Sequence, residues 1–362
     1  MDRLRILYVP NESGLSRQVG FRRTFANLSE AGLIEDVSIF SLQLRISNGG
    51  DPERHRQDLI ARVRDFRPNV VLMQHLGATG LRLDHFRAMR QTCQFELIYH
   101  EADPYSRYLH PLTHEARAAG RAADVVYTVG SGVFADNFRR NGARDVRWAP
   151  HVFEPDRARY VGVSDESKRN FDVVVVANRN IPRFRGLPNW KDRIQFIAKL
   201  QERFGDRLAL YGRGWSGPGA MGPVDSALQH DAIRSAWISA NWDHFATEPR
   251  YFSDRLPISL AAGSIHATTH HAGYDELFPP STNEFLIFGK SQEGLVDSIE
   301  RVLTETTPAE RLEAGRKAQS FSQALYRQDD QIVKFLNYKN TRVDPIKASA
   351  AWDPDSLSLH ST

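Results

Sequence analysis

The 362-residue chain has a single cysteine, Cys93. Without a second thiol no intrachain disulfide can form, and Cys-rich zinc modules and iron–sulfur clusters are excluded too. Long hydrophobic runs are also missing: no stretch reaches the about 18 apolar residues of a spanning helix. The opening segment MDRLRILYVPNE passes straight into a strand-like run, with no apolar stretch of signal-peptide length. These features set the expectation of a cytoplasmic protein without a membrane span. Surplus charge is small, since 47 basic and 44 acidic side chains leave a net +3. A small-molecule or glycan ligand is therefore favoured over nucleic acid. The glycines after the first strand are not spaced as GxGxxG, and no complete GxxxxGK[ST] P-loop occurs, so hydride transfer and a P-loop NTPase lose their best supports.

What is present is core-forming material in a chain long enough for two domains. Hydrophobic residues make up 41% of the sequence, with 20 Phe. Short β-branched or aromatic runs alternate with longer amphipathic ones. LRILYV (4–9), DVSIFSL (36–42), NVVLMQ (69–74), FELIYH (95–100), DVVYTV (124–129) and DVRWAP (145–150) read as strands. Helices are predicted at 18–32, 52–66, 81–91, 111–119 and 132–140. The rhythm fails over 151–170 and restarts at FDVVVVAN (171–178). Further strands are predicted at 207–212, 235–242, 264–268 and 284–289, and helices at 190–205, 254–262, 274–278 and 291–303. The pattern is that of βαβ units and parallel sheets. An α/β chain follows, with two Rossmann-like doubly wound domains, 1–150 and 171–327, joined by a linker at 151–170. A helix over 328–342 is expected to pack back toward the first domain, and 343–362 reads as a loose tail.

In open α/β sheets ligands bind outside the carboxyl ends of the strands, so the loops there are the candidate sites. Two sheets facing each other would gather those loops into a central cleft. After the first strand, Gly14 and Gly20 could admit a phosphate or sugar, or could be ordinary turn and helix-start residues. After the fourth, HEADPY sets His100, Glu101 and Asp103 together as an acid/base cluster, the candidate catalytic group. His100 could instead cap its strand, and Asp103 a following helix. Arg179, Arg183 and Arg213 follow strands of the second domain and suit a diphosphate. In IHATTHHAGYDELF, three histidines (His266, His270, His271) and two acids suggest zinc at first sight. Adjacent strand side chains diverge, however, so no metal site is expected. His271, Gly273, Tyr274, Asp275 and Glu276 are instead candidates to wrap a ligand with their backbone.

The run DRLPISLAAGSIHATTHHAGYDELFPPSTNEFLIF resembles the donor-domain signature of CgeB-like, family-4-related glycosyltransferases. NFDVVVVAN, LALYGRGW and GARDVRWAPHVFEP add to the likeness, which covers most of residues 95–305. It implies a GT-B fold and metal-independent transfer of a sugar from a nucleotide-sugar donor, with no cofactor. The second domain would hold the donor, with Arg255 at its diphosphate, and the first the acceptor. The chain departs from the signature at Ile258, where the family carries an acid for the donor ribose. A branched apolar side chain cannot accept a hydrogen bond. Another group holds the ribose, the donor is unusual, or transfer has been lost. A nucleotide-sugar epimerase or hydrolase and a catalytically silent binding protein are therefore the alternatives.

Overall fold

The computed structural model describes residues 4–13, 18–108, 110–155, 169–181 and 187–352. The described residues form two compact units, the first of those up to Arg107, Pro111–Ala149 and 328–352, the second of Tyr108, His110 and those of Pro150–Arg327.

The first unit carries a six-stranded, wholly parallel sheet of β1 (Arg5–Val9), β2 (Asp36–Ile39), β3 (Val70–Gln74), β4 (Glu96–Glu101), β5 (Val125–Thr128) and β6 (Val146–Trp148), in the order β2-β1-β3-β4-β5-β6. Every residue of β3 and β5 is buried, as a parallel strand covered on both faces requires. Alternation then divides two cores. Leu7, Val71, Met73, Leu97, Tyr99 and Val126 pack with Leu59 and Val63 of the helix Pro52–Phe66 and Ala116 and Ala119 of the helix His114–Ala122. Ile6, Tyr8, Leu72, Ile98 and Tyr127 pack on the other face with Phe25 of Val19–Glu30 and Ile332, Phe335 and Leu336 of Gln328–Leu336.

The second unit carries another parallel sheet, β12-β11-β10-β7-β8-β9. Its strands are β7 (Phe171–Val176), β8 (Leu208–Tyr211), β9 (Ala220–Gly222), β10 (Ala236–Ala240), β11 (Ile265–Thr269) and β12 (Leu286–Gly289). Counted from β7 outward this is the 3-2-1-4-5-6 order of a doubly wound dinucleotide-type sheet, with its switch point between β7 and β10. Gly212 permits the approach of β8 to β7, because a Cβ there would lie 2.0 Å from the Ala177 carbonyl oxygen at a φ of +138°.

Three expectations need correction. The run 36–42 stops being a strand at Ile39, and Leu42–Ser47 is a short helix. The edge strand β9 forms between the runs 207–212 and 235–242, where no strand is predicted. Part of the expected loose tail is ordered: Pro345–Trp352 is a helix with Ala348 fully buried in the second core of the first unit. Small alanines there let a helix approach closely without a strong apolar period. Residues 156–168 of the expected linker and 353–362 of the tail lie outside the described residues.

Candidate functional site

In the first unit, the carboxyl ends of β3 and β4 bring His75, Glu101 and Asp103 together. Glu101 ends β4 and is fully buried. One carboxylate oxygen faces His75 Nδ1 at 2.9 Å and accepts the Asp103 backbone N–H at 3.1 Å. The other accepts the Tyr99 hydroxyl and, at 3.4 Å, the Tyr105 hydroxyl. Burial first and the Glu101 charge second push both phenols well up, so both act as donors. Asp103 reaches the same His75 nitrogen at 3.2 Å, and its side chain is 54% exposed. Burial works against a charge on His75, but Glu101, Asp103 and Glu115 overcome it and lift the imidazole from 6.5 to about 9. The ring also requires a glycine nearby. A Cβ on Gly77 would lie 2.6 Å from His75 Nε2.

His100 does not join this cluster. It precedes Glu101 on the strand, so its side chain takes the opposite face, where it is buried with its ring 4.9 Å from that of Phe335 and Nδ1 3.3 Å from Gln74 Nε2. As a candidate base it is corrected to a core residue. Gly20 lies buried in the first turn of Val19–Glu30, the helix-start position. Gly14 and Arg183 lie outside the described residues. Thr113, and not Asp103, caps the helix after HEADPY, accepting from Ala116 N–H at 3.1 Å.

In the second unit the switch point is lined with cations. Arg255, first in the helix Arg255–Ala261, donates from Nε to the Val176 carbonyl at 2.8 Å and from Nη1 to Ser253 Oγ at 2.8 Å, which pins it at the end of β7. Arg193, from the helix Trp190–Phe204, is buried and donates from Nε to the Trp242 carbonyl at 2.8 Å, just beyond β10. Burial, with the Arg255 charge added, lowers Arg193 to about 9. The same causes hold His244 down to about 3, burial first and then Arg193 and Arg255. Beneath them lies a buried pair: Asp243 Oδ2 is 3.1 Å from His271 Nε2, and the other nitrogen of that ring faces the Glu248 carbonyl at 3.1 Å. Burial would raise the Asp243 carboxyl, but His271, helped by Arg193, holds it below its ordinary range.

The other predicted ligand residues fall into two groups. Arg179 and Arg213 meet at the ends of β7 and β8, Arg179 N–H donating to the Arg213 carbonyl at 2.9 Å and its guanidinium lying 5.8 Å from the Trp215 ring. Both are exposed. Around β11, His271 is buried with both ring nitrogens engaged, and Gly273 takes a φ of +82° before the one-turn helix Tyr274–Leu277. The Tyr274 side chain is a core residue, its hydroxyl donating to the Tyr251 carbonyl at 2.9 Å, so only its backbone stays a ligand candidate. Asp275 is exposed, and Glu276 is paired with Arg250. Ile258 packs onto the core of Val174, Ala209 and Ile233.

Sequence reasoning missed His75, Arg193, Asp243 and His244. His75 stands in a loop at a strand end, but only strand pairing shows that it faces Glu101. Arg193 looks like any polar residue of an amphipathic helix.

The solved structures share this fold over most of the chain. The protein HepE of Anabaena, solved in complex with UDP and glucose, is 13% identical, with 92% of this chain and all of that chain covered at a TM-score of 0.56. The fold is GT-B. A sucrose-phosphate synthase of Thermosynechococcus elongatus shares this GT-B arrangement at 12% identity, 99% and 100% coverage and a TM-score of 0.55. So does a glycosyltransferase of Rickettsia africae at 9% identity, full coverage of both chains and a TM-score of 0.55. A family described as glycosyl transferase-like matches residues 193–337, which contain both Arg193 and Arg255. No curated protein matches the sequence significantly.

Proposed function

We propose that this GT-B chain is a glycosyltransferase that uses a nucleotide-sugar donor. The observation that carries the reading is the switch point of the second sheet, where Arg193 and Arg255 are anchored by carbonyls at the ends of β10 and β7. A leaving nucleoside diphosphate needs its growing negative charge met, and two preorganised guanidiniums do this without a metal ion. Arg179, exposed at the end of β7, adds a third cation. The UDP and UDP-glucose complexes of HepE and the glycosyl transferase-like family match support the same reading.

On the acceptor side, His75 and Asp103 divide the proton chemistry. An imidazole lifted to about 9 is charged at neutral pH and donates from Nε2 to an oxygen of the bound acceptor. Asp103 is the exposed carboxylate of the cluster and accepts the acceptor hydroxyl. Buried Glu101 positions His75 and holds its charge.

Ile258 supports a second reading, a nucleotide-binding protein without turnover, since it offers no acceptor to a ribose diol. Incubation with UDP-, GDP-, dTDP- and ADP-sugars, with free nucleotide measured, separates the two. Release by the parent chain that is lost in Arg255→Ala supports transfer chemistry. Binding without release from any donor favours the silent protein.

A further inference from the structure

The first unit has a second concentration of positive charge, at the start of one helix and along another. The helices Leu83–Thr92 and His114–Ala122 border an open, solvent-facing depression of about 530 Å³ lined by Arg82, Arg117, Arg121, His114, Asn141 and Leu83. Several arginines elsewhere among the described residues hold carboxylates: Arg22 with Glu12, Arg90 with Asp124, Arg147 with Asp145, and Arg203 with Asp297 and Glu300. Here they do not. The side chains of Arg117 and Arg121 make no hydrogen bond or ion pair among the described residues, and the bond shown for Arg82 uses its backbone N–H, to His85. The carboxylate that touches this group, Glu115, is buried, accepts the Gly80 N–H at 3.1 Å and lies 3.3 Å from His114 Nε2. It leaves the three guanidiniums uncompensated. Packing over Gly142, 3.5 Å from where a Cβ would stand, steadies the Arg121 stem.

We propose that this depression binds a small molecule carrying a phosphate monoester, of sugar-phosphate size. Like charges gathered in one concavity repel, and a dianion removes that cost. Planar guanidiniums suit phosphate oxygens in bidentate contacts. The volume falls within the range of small-ligand pockets, about 300–1,000 Å³. Concavity favours a discrete ligand over an extended polyanion or a membrane. The site is independent of the transferase reading, because it uses none of the residues assigned to donor or acceptor.

The test is calorimetric titration of the full chain with glucose 6-phosphate, glucose and inorganic phosphate, repeated on Arg117→Gln/Arg121→Gln and on Arg255→Gln. Both arginines are exposed, so the double variant should fold, which its circular dichroism and melting curve check. The single Arg121→Gln variant is the reserve. Glucose 6-phosphate should bind with unit stoichiometry and glucose should not. The double variant should weaken binding by about tenfold or more, and Arg255→Gln should leave it unchanged. The proposal is overturned if the double variant binds as the parent does, if Arg255→Gln alone abolishes the heat, or if no phosphate species binds at millimolar concentration. Binding of phosphatidylserine vesicles without binding of the soluble phosphates would also overturn it, in favour of a membrane surface.

Discussion

Glu101, at the end of β4, faces the Nδ1 of His75, just past the end of β3, at 2.9 Å while itself fully buried. This carboxylate is closed off from solvent, takes two phenol donors at its second oxygen, and has the imidazole as the charged partner at its first. Replacing it by Glu101→Gln should let the His75 pKa fall from about 9 toward 6.5. NMR titration of the His75 ring reads this directly. An unmoved His75 would show that the pair is not electrostatically coupled.

The same pair links stability to pH. A histidine raised in the folded state stabilises fully below its unfolded pKa, and that contribution is lost as pH rises through the folded value. For His75 the window runs from about 6.5 to about 9. Urea unfolding of the parent and of His75→Gln should show their stability difference shrinking across that window. Turnover that needs the charged ring should fall above pH about 9, and a rate still climbing there would make His75 a base instead.

Gly77 offers a steric test at the same place. A methyl group 2.6 Å from Nε2 meets a ring held at its other nitrogen, so the imidazole must turn away from Glu101. Gly77→Ala should cost about 100-fold in kcat with nucleotide affinity unchanged, since only positioning is lost. Turnover at the parental rate would count against a role for His75.

In the second unit, Asp243 and His271 are both buried and face each other at 3.1 Å. His271→Ala strands a carboxylate and should destabilise the fold by about 3–5 kcal/mol. The depressed Asp243 carboxyl stabilises the parent above its unfolded pKa, and this is lost as pH falls through its lower folded value. The variant should lack that acid limb in a urea series taken between pH 7 and 3. Loss of donor affinity without loss of stability would assign His271 to the ligand.

Most of the fold was legible because βαβ alternation repeats strongly and each strand is a short apolar run. Much of the site was not, for reasons of register and long-range pairing. Read as 95–100, the fourth strand leaves Glu101 in a loop beside His100. The strand in fact runs through Glu101, and its period of two separates the neighbours, sending His100 to Phe335 and Glu101 to His75. His75 lies 26 residues from its partner, a distance that no local motif records. Arg255 could be found because a helix opening at a strand end has a local signature. Arg193 could not, because its value comes from the crossing of β7 to β10, which strand order alone reveals.

Nucleotide binding at the β7/β10 switch point is measured most directly by calorimetric titration of the full chain with UDP, GDP, ADP and dTDP, repeated on Arg255→Gln. At least one diphosphate should bind with unit stoichiometry, and the variant should bind it about tenfold or more weakly, having lost a charge-assisted contact. A parent chain that binds none of the four, or an Arg255→Gln chain that binds as tightly as the parent, would contradict the placement of a nucleotide donor at these arginines.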